Sequence, residues 1–224
     1  MPVTELAWIR SATPGSVPPA LITAAREGME AQSLWAETYA VATLPPGPPA
    51  VRGAALFRQL EDAGVMLITA HWDSKAQHAE CIASRENREA MAAVVPLIAP
   101  EGGVVIRHVD GVSMFGADTL GAGFLSIVRI GARVGSEGDA RGRVEGVWGR
   151  VTGLLSEASG FEHSAGWRVE KSEVEGREEF VVVGGWRDEE ALKGFTGGEV
   201  RRAWDEAWRD VVMDVEVTTY RRID

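Results

Sequence analysis

Cysteine is nearly absent: Cys81 is the only one in 224 residues. No intrachain disulfide can form, so packing alone must hold the fold, and a reducing compartment suits the chain. Positive charge is also short. The net charge is −10, with no run rich in lysine or arginine, which disfavours binding driven by phosphate neutralisation and docking on anionic lipid. No apolar stretch approaches the roughly 20 residues needed to cross a bilayer. The start, Met1-Pro2-Val3-Thr4-Glu5, lacks a basic segment followed by an apolar one, so no secretory signal is read there. The expectation is a soluble, cytoplasmic protein without nucleic-acid or membrane partners. Phosphate-cradling GxGxxG and GxxxxGK[ST] patterns are missing, as is GxSxG.

What is present is ordinary globular composition, with 45% hydrophobic and 25% charged residues. Apolar runs set the strands and 3.6-residue periodicity sets the helices. Strands are expected at Leu6–Arg10, Val65–Ala70 and Val104–Val109, with a further one at Glu37–Leu44, stopped by the prolines of residues 45–49. Helices are expected over Ala20–Trp35, Lys75–Ile82 and Glu86–Ile98, the last with Met91, Val94, Val95 and Ile98 on one face. After a glycine-rich connector at 112–123 the pattern restarts. Strands are expected at Phe124–Ile130, Gly160–Glu170, Glu179–Val183 and Val211–Tyr220. Helices are expected over Glu137–Glu157, after Asp188, and over Glu199–Asp210, the last with Val200, Ala203, Trp204, Ala207 and Trp208 inward.

The chain reads as a duplication. Ala70-His71-Trp72-Asp73-Ser74 matches Gly184-Gly185-Trp186-Arg187-Asp188, each a strand ending in tryptophan before a helix cap, at an offset of 186 − 72 = 114. Leu6–Arg10 answers Leu125–Arg129 at an offset of 119. The expected fold is α+β, two ferredoxin-like β-α-β-β-α-β halves, 1–111 and 124–224, closed into a pseudo-dimeric α/β barrel with antiparallel sheets. Strands apolar at nearly every position leave a bare sheet face in each half, and roughly 25 cal/mol per Å² drives those faces together. The assembly is expected to be a monomeric pseudo-dimer or a homodimer.

Several segments resemble the dimeric α/β-barrel superfamily with its antibiotic-biosynthesis-monooxygenase domains. These are Trp72-Asp73-Ser74 with His78 and Ile82-Ala83-Ser84, Arg107–Asp110, and Gly160–His163 with Gly166-Trp167. Tandem versions in one chain are similar to fungal proteins. The resemblance implies a pocket between sheet and helices in each half. It also implies activities ranging over cofactor-free oxygenases of quinols and anthrones, lactone isomerases, polyketide cyclases and haem enzymes. Quinol-oxygenase-like members often carry an acidic residue two before the tryptophan, where Ala70 and Gly184 stand here.

Histidine is scarce, and the four present are the first candidates for proton transfer near neutral pH. His71, His108 and His163 are the catalytic candidates, and His78, on a helix, reads as structural. His71 and His108 are expected near opposite ends of their sheet, so no metal site is expected. No cofactor is expected either; a single histidine holding haem iron is the alternative that the resemblance implies. Trp8, Trp72, Trp167 and Trp186 are candidates to line a pocket for a small apolar or aromatic molecule, with core packing the competing role. Arg129, matched to Arg10, could anchor an acidic group. The first function reading is a cofactor-independent oxygenase, cyclase or isomerase; a non-catalytic binding or stress-related module is the second.

Overall fold

The computed structural model describes residues 2–39, 47–112, 118–133 and 140–223. The first half comprises β1 (Val3–Arg10), α1 (Pro19–Tyr39), β2 (Ala55–Gln59), β3 (Val65–Trp72), α2 (Lys75–Ala83), α3 (Arg85–Val94) and β4 (Val104–Val109). The second comprises β5 (Phe124–Arg133), α4 (Ala140–Ser159), β6 (His163–Trp167), β7 (Arg177–Trp186), α5 (Glu189–Gly197), α6 (Glu199–Trp208) and β8 (Asp214–Arg222). All eight strands join one antiparallel sheet in the order β4-β1-β3-β2-β8-β5-β7-β6. Each half keeps the ferredoxin-like order, and the whole is a pseudo-dimeric α/β barrel.

Two seams join the halves. At one, β2 pairs with β8 from Phe57–Arg222 to Gln59–Tyr220. At the other, Asp110 donates its amide to the Trp167 carbonyl at 3.0 Å, and Val169 to that of His108 at 2.8 Å. This seam is tight: a Cβ on Gly166 would stand 1.4 Å from the Asp110 carbonyl oxygen, so only glycine fits.

Side chains alternate across the sheet with period two. Leu6, Phe57, Leu67, Leu125, Ile127, Val181, Val183 and Tyr220 point into the barrel, where all are buried. Val3, Ile9, Met66 and Trp72 face α1 to α3, and Val128, Ile130, Val182 and Trp186 face α4 to α6. With both faces covered, the strands read as continuous apolar runs. Ser74 and Asp188 cap α2 and α5, accepting the amides of Gln77 and Ala191.

The structure corrects several expectations. The helix α1 runs on to Tyr39, so residues 37–39 are not strand; residues 40–44 lie outside the described set. The strand that pairs across the seam is β2, which alternation alone did not mark. α3 stops at Val94 because Pro96 forces a 3-10 turn, which leaves Val95 exposed. β6 ends at Trp167, and Arg168 bridges to Val109 of the other half. In the second half Ala203 is exposed rather than inward, and the last strand starts only at Asp214. Residues 137–139, at the expected start of α4, and residues 113–117 of the connector lie outside the described residues. The strand register also revises the duplication: Val3 faces Trp72 and Phe124 faces Trp186. Trp8, not Arg10, is therefore the counterpart of Arg129.

Candidate active site

A line of buried titratable groups crosses the first half. Glu5 on β1 is buried on the helix-facing side, directly across the ladder from His108 on β4. The Trp72 indole N–H donates to Glu5 Oε2 at 2.7 Å. His78, one turn into α2, stacks on Trp72 with ring centroids 4.5 Å apart and places Nε2 3.3 Å from the same oxygen. His78 Nδ1 lies 2.7 Å from His108 Nε2. His108 Nδ1 lies 2.7 Å from Glu170 Oε1, and its amide donates to Oε2 at 3.0 Å. Lys75 reaches Glu170 Oε1 from the surface at 3.1 Å.

The partners of Glu170 fix its charge. Hydrogen bonds from His108 and Lys75 hold the Glu170 carboxyl down at about 2 despite its partial burial. Glu170 is therefore ionised, and His108 Nδ1 carries the hydrogen between them. His108 Nε2 and His78 Nδ1 share a hydrogen, one nitrogen donating and the other accepting. Burial and the neighbouring His108 push His78 down to about 3, so its ring carries a single hydrogen. Burial raises Glu5 from 4.5 to about 7, so near neutrality its carboxyl can hold a proton at its contact with His78 Nε2. No hydrogen-bond donor other than Glu5 stands at that nitrogen among the described residues.

A small cavity adjoins this line. Met29, Ser33 and Ala36 of α1, with Arg52, Ala54, Ala70, His71 and Trp72, enclose about 20 Å³, room for one water molecule. Beyond Met29 and Gln32, which border both spaces, a second void of about 30 Å³ lies against Ile9, Ile68 and Met91. Arg52 is buried, paired with Glu37 at 2.8 Å. Partial burial lowers His71, so its imidazole is neutral at pH 7 and able to accept a proton.

The candidate residues therefore separate. His71 and Trp72 line the first-half cavity, and His108 stands behind Trp72 in the buried line. His71 and His108 are at the same end of the sheet, across from Thr4 and Glu5, which corrects the opposite-end expectation. Both strands run antiparallel to β1 and hence parallel to each other. Adjacent β1 partners put the two rings on opposite faces. His163 is buried in the second half, 3.0 Å from the Ser159 hydroxyl and edge-on to Trp186. Trp186 is fully buried, its indole donating to Ser126 at 2.8 Å. Trp167 is buried with its indole on Glu145. Trp8 and Arg129 line the open end of the barrel instead. Glu5 and Glu170 were not among the sequence candidates. A signal for Glu5 existed: it shares the strand parity of Val3, Ala7 and Ile9, a lone acid on an apolar face.

No protein-family model and no curated protein matches the sequence. Solved structures share the fold. A candidate monooxygenase of Fusobacterium nucleatum subsp. nucleatum is 9% identical with a TM-score of 0.59, covering 100% of this chain and 93% of that one. An anthrone oxidase-like protein is 14% identical with a TM-score of 0.59, covering 100% and 92%. A heme-binding protein of Thermus thermophilus is 8% identical with a TM-score of 0.54, covering 100% and 92%. At these identities the likeness establishes the fold class, the tandem-domain α/β barrel that monooxygenase-like proteins use, and nothing finer. As it stands, the first-half space between α1 and the sheet holds one water, so haem or any other ligand larger than that must displace side chains there. No helix among the described residues is long and apolar enough to cross a membrane.

Proposed function

We propose that the chain is a small-molecule enzyme with one working pocket, in the first half, acting without a cofactor on an aromatic or polyketide-like substrate. Trp72 is its stacking wall, Glu5–His78–His108–Glu170 a proton store that fixes Trp72 from behind, and His71, at the end of β3, the proton acceptor once its ring swings round from the opposite sheet face. One observation carries the reading. Every member of that store within the first half has a neutral counterpart in the second: Ser126 holds Glu5's place, Leu192 that of His78 and Thr219 that of His108. The fold stands without these groups, and burying them costs free energy. Perturbed titratable groups beside a cavity are the mark of a functional site.

A substrate enters by displacing Met29 and Gln32, which would merge the two voids; methionine is unbranched and adaptable. On an anthrone, His71 would take a proton from the reactive methylene. The resulting carbanion would react with dissolved O₂, giving the quinone and one water. Anthrone is thus the first probe, with absorbance of the quinone and O₂ uptake as readouts. His71→Ala should lower the rate by roughly 10²- to 10⁴-fold, the usual contribution of a general base, whereas His163→Ala should leave it unchanged. Equal rates in both variants, or no turnover of anthrones or quinols by the intact protein, would remove the reading. The small volume of the pocket favours the second reading, a non-catalytic module, and absence of turnover and of any binding would establish it.

A further inference from the structure

One cavity on the sheet belongs to neither helix layer. One end of the barrel is filled by Leu6, Val109, Val112, Leu120 and Leu125. The other end opens as a cavity of about 340 Å³, within the range that holds small-molecule ligands. Its lining includes the Trp8 ring, Val65 and Val105, together with Arg10, Arg107 and Arg129. In a chain of net charge −10, a cavity lined by three guanidiniums and one carboxylate, Glu216, is unusually rich in positive groups.

These arginines have carboxylate partners, but the innermost one is shared. Beneath the cavity the buried Glu179 carboxylate is shared by Arg107 at 2.7 Å, Arg177 at 3.2 Å and Arg129 at 3.8 Å. Arg107 has no other carboxylate among the described residues, and its buried Nε finds no acceptor. It lies 5.7 Å from the Trp8 ring centroid. Arg129 and Arg10 have outer partners, Glu216 and Asp62, but both are exposed carboxylates. Exposed pairs hold weakly, so a ligand anion can displace them at little cost. The Trp8 indole N–H is already committed to Tyr220, whose hydroxyl donates to Thr218 at 2.8 Å. This part of the floor is therefore saturated, and the ring presents an apolar surface. Arginine forks match carboxylates in a planar, bidentate fashion.

We propose that the open end of the barrel binds a small aromatic carboxylate, its carboxylate on Arg107 and Arg129 and its ring on Trp8. The site straddles the pseudo-two-fold axis, because Trp8 and Arg129 occupy equivalent register positions in the two halves. It is independent of the first-half pocket.

Calorimetric titration of the intact protein with 1-naphthoate tests this, with 1-naphthylmethanol and inorganic phosphate as the neutral and non-aromatic probes. One naphthoate per chain should bind, and neither other probe should match it. Arg129→Gln should weaken it about tenfold, the equivalent of one charge-assisted hydrogen bond; His71→Ala should leave it unchanged. Arg129→Gln/Glu216→Gln keeps the local charge balance and should show the same loss, which separates a folding defect from a lost contact. Trp8→Phe should retain the carboxylate preference with weaker binding. Absence of binding, loss in His71→Ala with retention in Arg129→Gln, or equal binding of phosphate would each overturn the proposal. The first-half reading is untouched by any of these except the second, which would place naphthoate there.

Discussion

The two halves share strand order, helix caps and a tryptophan at the end of the third strand, yet they fill the space beneath their helices differently. In the second half Trp148, Trp167, Phe180, Trp186, Phe195, Trp204 and Trp208 pack into one apolar cluster, with Trp186 stacked on Phe195 at 5.0 Å. In the first half the positions of Leu192 and Phe195 hold His78 and Cys81. Smaller and more polar residues leave voids there, and a carboxyl, two imidazoles and a second carboxylate run through the layer. The seams are alike: Glu61 holds the Thr219 amide and hydroxyl as Glu170 holds the His108 amide and ring. What differs is whether polarity continues inward from the seam. On the reading proposed above, the aromatic half is the one whose helix layer serves packing.

The most severe way to break the comparison is to force the first half's chemistry on the second. Leu192→His would remove a fully buried leucine worth about 1.5–3 kcal/mol. It would also bury an imidazole in the apolar cluster that holds Trp186 and Phe195, without the partners that His78 has, adding roughly 1–3 kcal/mol. A loss of about 3–5 kcal/mol in urea unfolding is expected. A loss under about 1 kcal/mol would mean the second half already has room for a polar relay, and the contrast would fail.

Next in size is a pH effect confined to the first half. Folding raises Glu5 from 4.5 to about 7, so between those values the native state binds more protons than the unfolded chain. That contribution to stability is complete below pH 4.5 and disappears as pH rises through 7. His78, lowered from 6.5 to about 3, works in the opposite sense between those values, and Trp72 and His108 also face the carboxyl. Comparing wild type with Glu5→Gln isolates the Glu5 share, because glutamine still accepts from Trp72. The variant should match wild type near pH 4 and exceed it by up to about 3 kcal/mol above pH 7, from 1.36 kcal/mol per unit. A pH-independent difference would show that Glu5 is not held toward its protonated form.

Legibility in the sequence followed the range of the interactions. Caps and strand ends were readable because Ser74, Asp188, Trp72 and Trp186 act locally. The repeat at 114 residues was readable because both copies keep that local signature. The seam was not: β2 is five residues whose pairing with β8 lies more than 150 positions away, and no local pattern encodes such a partner. The site was half readable. The histidines were noticed for their rarity, but His78 was set aside as a helix residue, and only the register reveals it facing His108. Glu170 comes from the other half altogether, so nothing near His108 in the sequence announces it.

The smallest effect, and the sharpest for function, comes from giving the first half its partner's residues: Glu5→Ser, His78→Leu and His108→Thr together. Serine can accept the Trp72 indole as Ser126 accepts that of Trp186. Threonine can hold Glu170 as Thr219 holds Glu61, and leucine fills the stacked place against the tryptophan ring. Replacing a buried polar network by fitted apolar and neutral residues is commonly neutral or stabilising. A gain of about 1–2 kcal/mol at pH 7 is expected, less than for Glu5→Gln at high pH because two close imidazole contacts are surrendered as well. Turnover of the anthrone probe should fall at the same time, since Trp72 stays in place but the proton store behind it is gone. A triple variant that is less stable by a similar amount would make the polar line a packing requirement of the first half. The argument from the neutral counterparts would then have no force, because polarity there would have a structural reason of its own.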